Sequence, residues 1–200
     1  RLLRDEGLLG RALEVQTRRL ETVSRTTRLD ALAVARSERG GVLTVLGRWE
    51  EARLEIERAG ELFRQLCDPR ELMVVGVSRA ALDLAVGRLE AAGLALAQAR
   101  EAGANDRTDR WARGEALLIS SDQALAVQDP VGAEALAAEA LRLFAALKDR
   151  RGECRGRVRR SHALLGQGQV EGAIREARRA LTLARPLGAA VEAQIGRAHV

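Results

Sequence analysis

Gly47-Arg48-Trp49-Glu50-Glu51-Ala52 decides the fold, because the chain repeats it. Gly87-Arg88-Leu89-Glu90-Ala91-Ala92, Gln128-Asp129-Pro130-Val131-Gly132-Ala133 and Gly168-Gln169-Val170-Glu171-Gly172-Ala173 align with it without gaps. Their last alanines lie 40, 41 and 40 residues apart. Seven residues after each stands another alanine: Ala59, Ala99, Ala140 and Ala180. Residues seven apart share one face of an α-helix, and small ones let a neighbouring helix come close. A second register keeps the period, with Leu62-Phe63, Leu66 and Asp68 matched 81 residues later by Leu143-Phe144, Leu147 and Asp149.

Each period reads as two helices. Residues 70–86 and 89–102 are free of proline and meet at Gly87, which can take the positive φ of a tight turn. The same reading pairs 29–46 with 49–66, 108–127 with 130–147, and 151–167 with 170–185, after a partial unit around Gly7 and Ala12. Pro130 suits a helix start, while Pro69 and Pro186 are expected in connections. The expected architecture is all-α: a right-handed α-solenoid of roughly nine helices in stacked antiparallel hairpins.

Composition agrees. The chain is 46% hydrophobic and 30% charged, rich in Ala, Leu, Arg and Glu, all strong helix formers. The net charge of +5 rests on arginine, since Lys148 is the sole lysine, and such a balance favours acidic partners. Nucleic acid is disfavoured: there is no dense basic block, and aromatics make up 2%. Cys67 and Cys154 are isolated, which fits idle thiols in a reducing, cytoplasmic setting. No stretch is long and apolar enough for a membrane span, and no signal peptide is expected before the helical pattern.

Residues 1–194 are expected to form one helical repeat array cut from a longer protein, since the first residue is Arg1. Residues 195–200 are what the short-read sequencing adapter ATCGGAAGAGCACACGTC encodes in frame, so they are expected to be an artefact and His199 to have no role. Repeat arrays normally carry polar caps, so a fragment is expected to self-associate weakly through its ends.

At the quoted residues the sequence resembles the tetratricopeptide repeat. The turn glycine Gly47, aromatic Trp49 and alanines Ala52 and Ala59 carry the resemblance, with Gly40, Ala80, Ser121 and Ser161 at an earlier small position. The family's usual unit is about 34 residues, whereas this one has 40. Longer units with a connection like that at residues 147–153 are similar to the variant in MalT-like transcriptional activators and bacterial multidomain signalling proteins. HEAT and armadillo repeats share the longer period but not the Gly-x-aromatic turn.

Chemistry is sparse. There is no phosphate-binding Gly-x4-Gly-Lys loop, and Gly166-x-Gly168 lacks the preceding strand a dinucleotide site needs. Ser161-His162 and Ser120-Ser121-Asp122 contain residue types used in acyl transfer, without a third member of defined geometry. No catalytic, cofactor-binding or metal-ligating residue is expected, and no cofactor. Trp49 and Trp111 are expected to pack in the core and at helix starts. One pattern points to binding. Eight residues before each turn position stand Arg39, Arg79, Ser120 and Arg160, with Arg155, Arg157 and Arg159 near the last. The family resemblance implies that first helices line the concave side, making Arg39, Arg79, Arg155, Arg159, Arg160 and His162 a candidate groove for an anionic partner. Guanidinium groups match carboxylates through paired donors. The competing reading is that these arginines snorkel to water without a ligand.

The expected function is a non-catalytic scaffold for a protein or peptide, acidic by charge complementarity, with a small-molecule effector as a further candidate. The MalT-like resemblance implies the sensor or interaction region of a larger bacterial signalling or transcriptional regulator. The alternative is a stand-alone structural adaptor.

Overall fold

The computed structural model describes the backbone over residues 2–102 and 110–197, and side chains over 9–102 and 110–186. Within those residues the chain is all-α, with nine helices and no strand. It divides into two compact units, Arg1–Arg107 and Thr108–Val200. The first holds α1 (Leu2–Ser24), α2 (Leu29–Val45), α3 (Trp49–Gln65), α4 (Pro69–Ala85) and α5 (Leu89–Ala102). The second holds α6 (Arg110–Ala126), α7 (Pro130–Leu147), α8 (Arg150–Gly166) and α9 (Val170–Arg197). Within each unit every helix packs on the next in the chain, and the hairpins α2–α3, α4–α5, α6–α7 and α8–α9 follow the repeat.

Local chemistry sets the boundaries. Gly47, Gly87 and Gly168 take φ of 73°, 78° and 75°, closing the first helix of each hairpin. The amide that follows donates back into the helix, as Arg48 N–H does to the Leu43 carbonyl at 3.0 Å and Gln169 N–H to Leu164 at 2.8 Å. This six-to-one bond satisfies a carbonyl the helix end would leave open. Gln128 holds the same place in α6 at φ 64°, and Cys67 and Lys148 end α3 and α7 at 52° and 55°. The next helices are capped by aspartates. Asp68 accepts from Glu71 N–H at 3.1 Å, Asp129 from Gly132 N–H at 2.8 Å, and Asp149 from Arg151 and Gly152 N–H, both at 3.0 Å. Such caps meet the free amides of a first turn.

The small columns are the packing interface. Ala52, Ala59, Ala92, Ala99, Ala133, Ala140, Ala173 and Ala180 are all buried, as are Gly40, Ala80, Ser121 and Ser161. A Cβ on Gly40 would lie 2.7 Å from Ile56 Cγ1, so α2 and α3 meet too closely there for a side chain. In the second unit Ser121 and Ser161 donate to the carbonyls of Ala133 and Ala173 at 2.9 and 2.8 Å, tying each first helix to its hairpin partner. Phe63 and Phe144, equivalent across two periods, anchor the two cores with Ile56, Ala59 and Leu82 in one and Leu117, Leu118 and Ala140 in the other.

Three expectations change. Pro69 and Pro130 both open helices, so Pro69 belongs to α4 rather than to a connection. Pro186 lies inside α9, which continues to Arg197. A proline removes one backbone bond, and the helix-forming sequence after it carries the helix on. Trp49 and Trp111 do stand at helix starts, but are 46% and 42% exposed rather than core. Trp49 lines an open cleft with Val86 and Arg88. Of the adapter-like segment, residues 198–200, with His199, lie outside the described residues.

Candidate functional site

In each unit the first helices of successive hairpins touch, α2 with α4 and α6 with α8. The backbones of the second helices, α3 with α5 and α7 with α9, stay farther apart, with no Cα pair within 8 Å among the described residues. Closer spacing on one side makes the first-helix side the inner one in each unit. The six candidate residues divide between the two sides.

Arg39, Arg79 and Arg160 point away from the first-helix face, toward second helices. Arg39 Nη1 is 3.1 Å from Glu55 Oε1 on α3, and its Nε donates to Thr17 Oγ1 on α1 at 3.3 Å. Arg79 Nε meets Asp83 Oδ2 at 3.1 Å and Nη1 meets Glu57 Oε1 on α3 at 3.5 Å. Arg160 Nη2 is 3.0 Å from Glu134 Oε1 on α7 and Nη1 3.8 Å from Glu176 Oε1 on α9. Position 120 of the same column is Ser120, which donates to the Ala116 carbonyl at 2.8 Å.

Arg39 and Arg160 belong to a motif the sequence reading missed. Glu55 is 6% exposed and takes Arg36 Nη1 at 2.9 Å, Arg39 at 3.1 Å and Arg58 at 3.9 Å. Glu176, 4% exposed, takes Arg157 Nη1 at 2.8 Å, Arg179 at 2.9 Å and Arg160 at 3.8 Å. All four members of the first cluster recur 121 residues later, three periods on. A buried carboxylate needs compensating charge, and each is fenced by three guanidiniums. The signal was present in the sequence: Glu55 and Glu176 stand in a column that holds Ala95 and Leu136 in the other units, between the packing alanines.

Arg155, Arg159 and His162 lie elsewhere. At i, i+4 and i+7 they form one stripe on α8, and the two arginines reach across to α6. Arg155 Nη1 donates to Glu115 Oε2 at 2.9 Å, with a second short contact from Nη2 to Oε1. Arg159 grips Asp122 through Nη2 at 3.0 Å and Nε at 3.1 Å. His162 is exposed one turn beyond. The structure brings these three together on the inner side of the second unit. Arg155 Nε is shielded from water and has no acceptor.

The residues considered for acyl transfer are engaged otherwise, since Ser121 and Ser161 donate to backbone carbonyls as described. Gly168 is a hairpin turn and Gly166 the last residue of α8. Both cysteines are free thiols, Cys67 exposed and Cys154 donating weakly to the Ala180 carbonyl at 3.4 Å. Among the described residues no group of His, Cys, Asp and Glu has the makings of a metal site. No helix there is long and apolar enough to cross a membrane.

No family model matches the chain, and no curated protein matches it. Among solved structures it is similar to nearly identical TPR-like repeats from a Podosopora anserina protein described as a kinesin light chain. The TM-score is 0.58 at 15% identity, covering 92% of this chain and 90% of that one. At that identity the likeness concerns architecture, and it agrees with the hairpin geometry: the chain is built of TPR-like helical repeats.

Proposed function

We propose that this chain is a non-catalytic scaffold that holds an acidic protein or peptide segment against the inner face of its second unit. It would serve as the sensor or interaction region of a larger bacterial signalling or transcriptional regulator in the cytoplasm. TPR-like folds generally mediate protein–protein interaction, which supports the broad class. The observation that carries the finer reading is the α8 stripe: Arg155, Arg159 and His162 on the side where first helices meet. Each guanidinium has five donors, so pairing with Glu115 or Asp122 leaves N–H groups for a visiting carboxylate.

A fluorescein-labelled Glu/Leu-rich peptide, titrated by anisotropy at several salt concentrations, tests this. Replacing Arg155 and Arg159 with Glu should weaken binding by about tenfold or more and flatten the salt dependence, as loss of charge-assisted bonds requires. Unchanged affinity and salt slope would remove the stripe from the site. Arg79→Glu, on the other side of its unit, should leave the peptide affinity unaltered. The regulator reading is tested by the intact gene: a P-loop ATPase or kinase before the repeats, or a helix-turn-helix after them, is expected. A gene encoding the repeats alone would favour the adaptor.

A further inference from the structure

In the first unit, the groove between α3 and α5 over α4 contains a hollow of about 300 Å³. Three columns of the repeat explain why it is there. The place of Gly60 is held elsewhere by Leu20, Arg100, Leu141 and Leu181; that of Gly76 by Arg36, Leu117 and Arg157; that of Ala95 by Glu55, Leu136 and Glu176. Elsewhere the space takes the Arg36–Glu55 and Arg157–Glu176 pairs, or Leu117 and Leu136 packed with Phe144. Only around α4 do all three columns stop at Cβ or short of it.

Close packing constrains one of these more strongly than another. A Cβ on Gly76 would lie 2.8 Å from Ala99 Cβ, so α4 and α5 need that glycine. A Cβ on Gly60 would meet Val75 Cγ1 at 3.3 Å and Arg64 Nη2 at 3.6 Å, so the Val75 side chain would need to give by only a few tenths of an ångström. The walls are apolar, from Ile56, Leu72 and Val75. The polar residues lining it are Arg64, Arg79, Glu57 and Gln98. Arg79 and Glu57 are paired with each other, while the Arg64 side chain has no hydrogen bond or ion pair among the described residues. One positive charge is therefore unmatched at the mouth of an apolar hollow.

We propose that this hollow binds a small monocarboxylate with an apolar body. At the ~30 Å³ that a water occupies in the liquid, it has room for roughly ten non-hydrogen atoms, the size of octanoate. The hydrocarbon would lie on Ile56, Leu72 and Val75, and the carboxylate would take the two parallel donors of Arg64. A neutral ligand would bury the mouth without answering Arg64. A dicarboxylate would set its second charge against Glu57 or the apolar wall. The site faces the second helices, and stands or falls independently of the α8 stripe.

Calorimetric titration of the full chain with octanoate, octanamide and octanedioate is the test, on wild type, Arg64→Gln and Gly60→Leu. Leucine is what the repeat itself places at that column. Octanoate should bind wild type saturably and about tenfold more tightly than the amide or the diacid, the size of a charge-assisted pair. Arg64→Gln should bring acid and amide within about twofold of each other, since the ionic contact is gone. Gly60→Leu should abolish octanoate binding while its circular dichroism and labelled-peptide affinity match wild type. Absence of saturable octanoate binding, equal affinity for acid and amide, or undiminished binding to folded Gly60→Leu would each overturn the proposal. If Gly60→Leu does not fold, the acid-to-amide ratio in Arg64→Gln decides.

Discussion

The third repeat offers a direct substitute for the buried charges of the first. Where the first has Arg36, Arg39 and Glu55, the third has Leu117, Ser120 and Leu136, beside Phe144 in place of Phe63. Transplanting that set (Arg36→Leu, Arg39→Ser, Glu55→Leu) replaces an ion-paired cluster by apolar packing of a kind this backbone already supports. Glu55→Leu alone leaves Arg36 and Arg39 in place with side chains 21% and 17% exposed. Breaking a buried pair by removing one partner costs about 3–5 kcal/mol, and the arginines' partial access to water puts this case near 2–4. The triple replacement removes the stranded charges and adds two leucines, each worth about 1.5–3 kcal/mol if fully buried. It should lie between neutral and roughly 3 kcal/mol more stable than wild type. Urea unfolding by far-UV circular dichroism reads the difference. With a slope near 2 kcal/mol/M, the single variant should lose about 1–2 M of midpoint and the triple should recover it. A cost below about 0.5 kcal/mol for Glu55→Leu, or a triple variant no better than the single, would show that these carboxylates are not the buried, compensated charges described.

Two further outcomes follow from the backbone and the core. Gln128 sits at φ 64° where Gly47, Gly87 and Gly168 hold the matching hairpin turns, and Lys148 ends α7 at 55° as Cys67 ends α3 at 52°, so Gln128→Gly and Lys148→Gly should each stabilise by about 0.5–1 kcal/mol in thermal unfolding. No change at Gln128 would mean that its turn is not left-handed in solution. Gly114→Ala would bring a Cβ to 2.7 Å from Phe144 Cζ and should cost about 1–3 kcal/mol by overpacking. Combining it with Phe144→Leu should return part of that loss in the same melt, whereas strictly additive costs would count against ring contact as the cause.

The candidate site was only partly legible. That Arg155, Arg159 and His162 share a face follows from helical spacing alone. That Arg39, Arg79 and Arg160 turn toward second helices does not, because neighbours on either side of a first helix can each receive a guanidinium. Glu55 and Glu176 were overlooked because acidic residues flanked by arginines look like solvated surface pairs. Their column, lined elsewhere by Ala95 and Leu136, was the clue to burial.

What the sequence determined by itself is the repeat: its period, the pairing of helices into hairpins, the alanine columns and the glycine turn at Gly87. These rest on interactions within a few residues, where the helical period and the steric freedom of glycine act directly. The tertiary structure decided which way each arginine faces, why Gly60 opens a hollow that Leu141 does not, and that Trp49 stays in water. Helical periodicity fixes only the angles between side chains on one helix. Which of those angles become buried is set by neighbours 19 to 40 residues away, as the Arg36–Glu55 and Arg155–Glu115 pairs show.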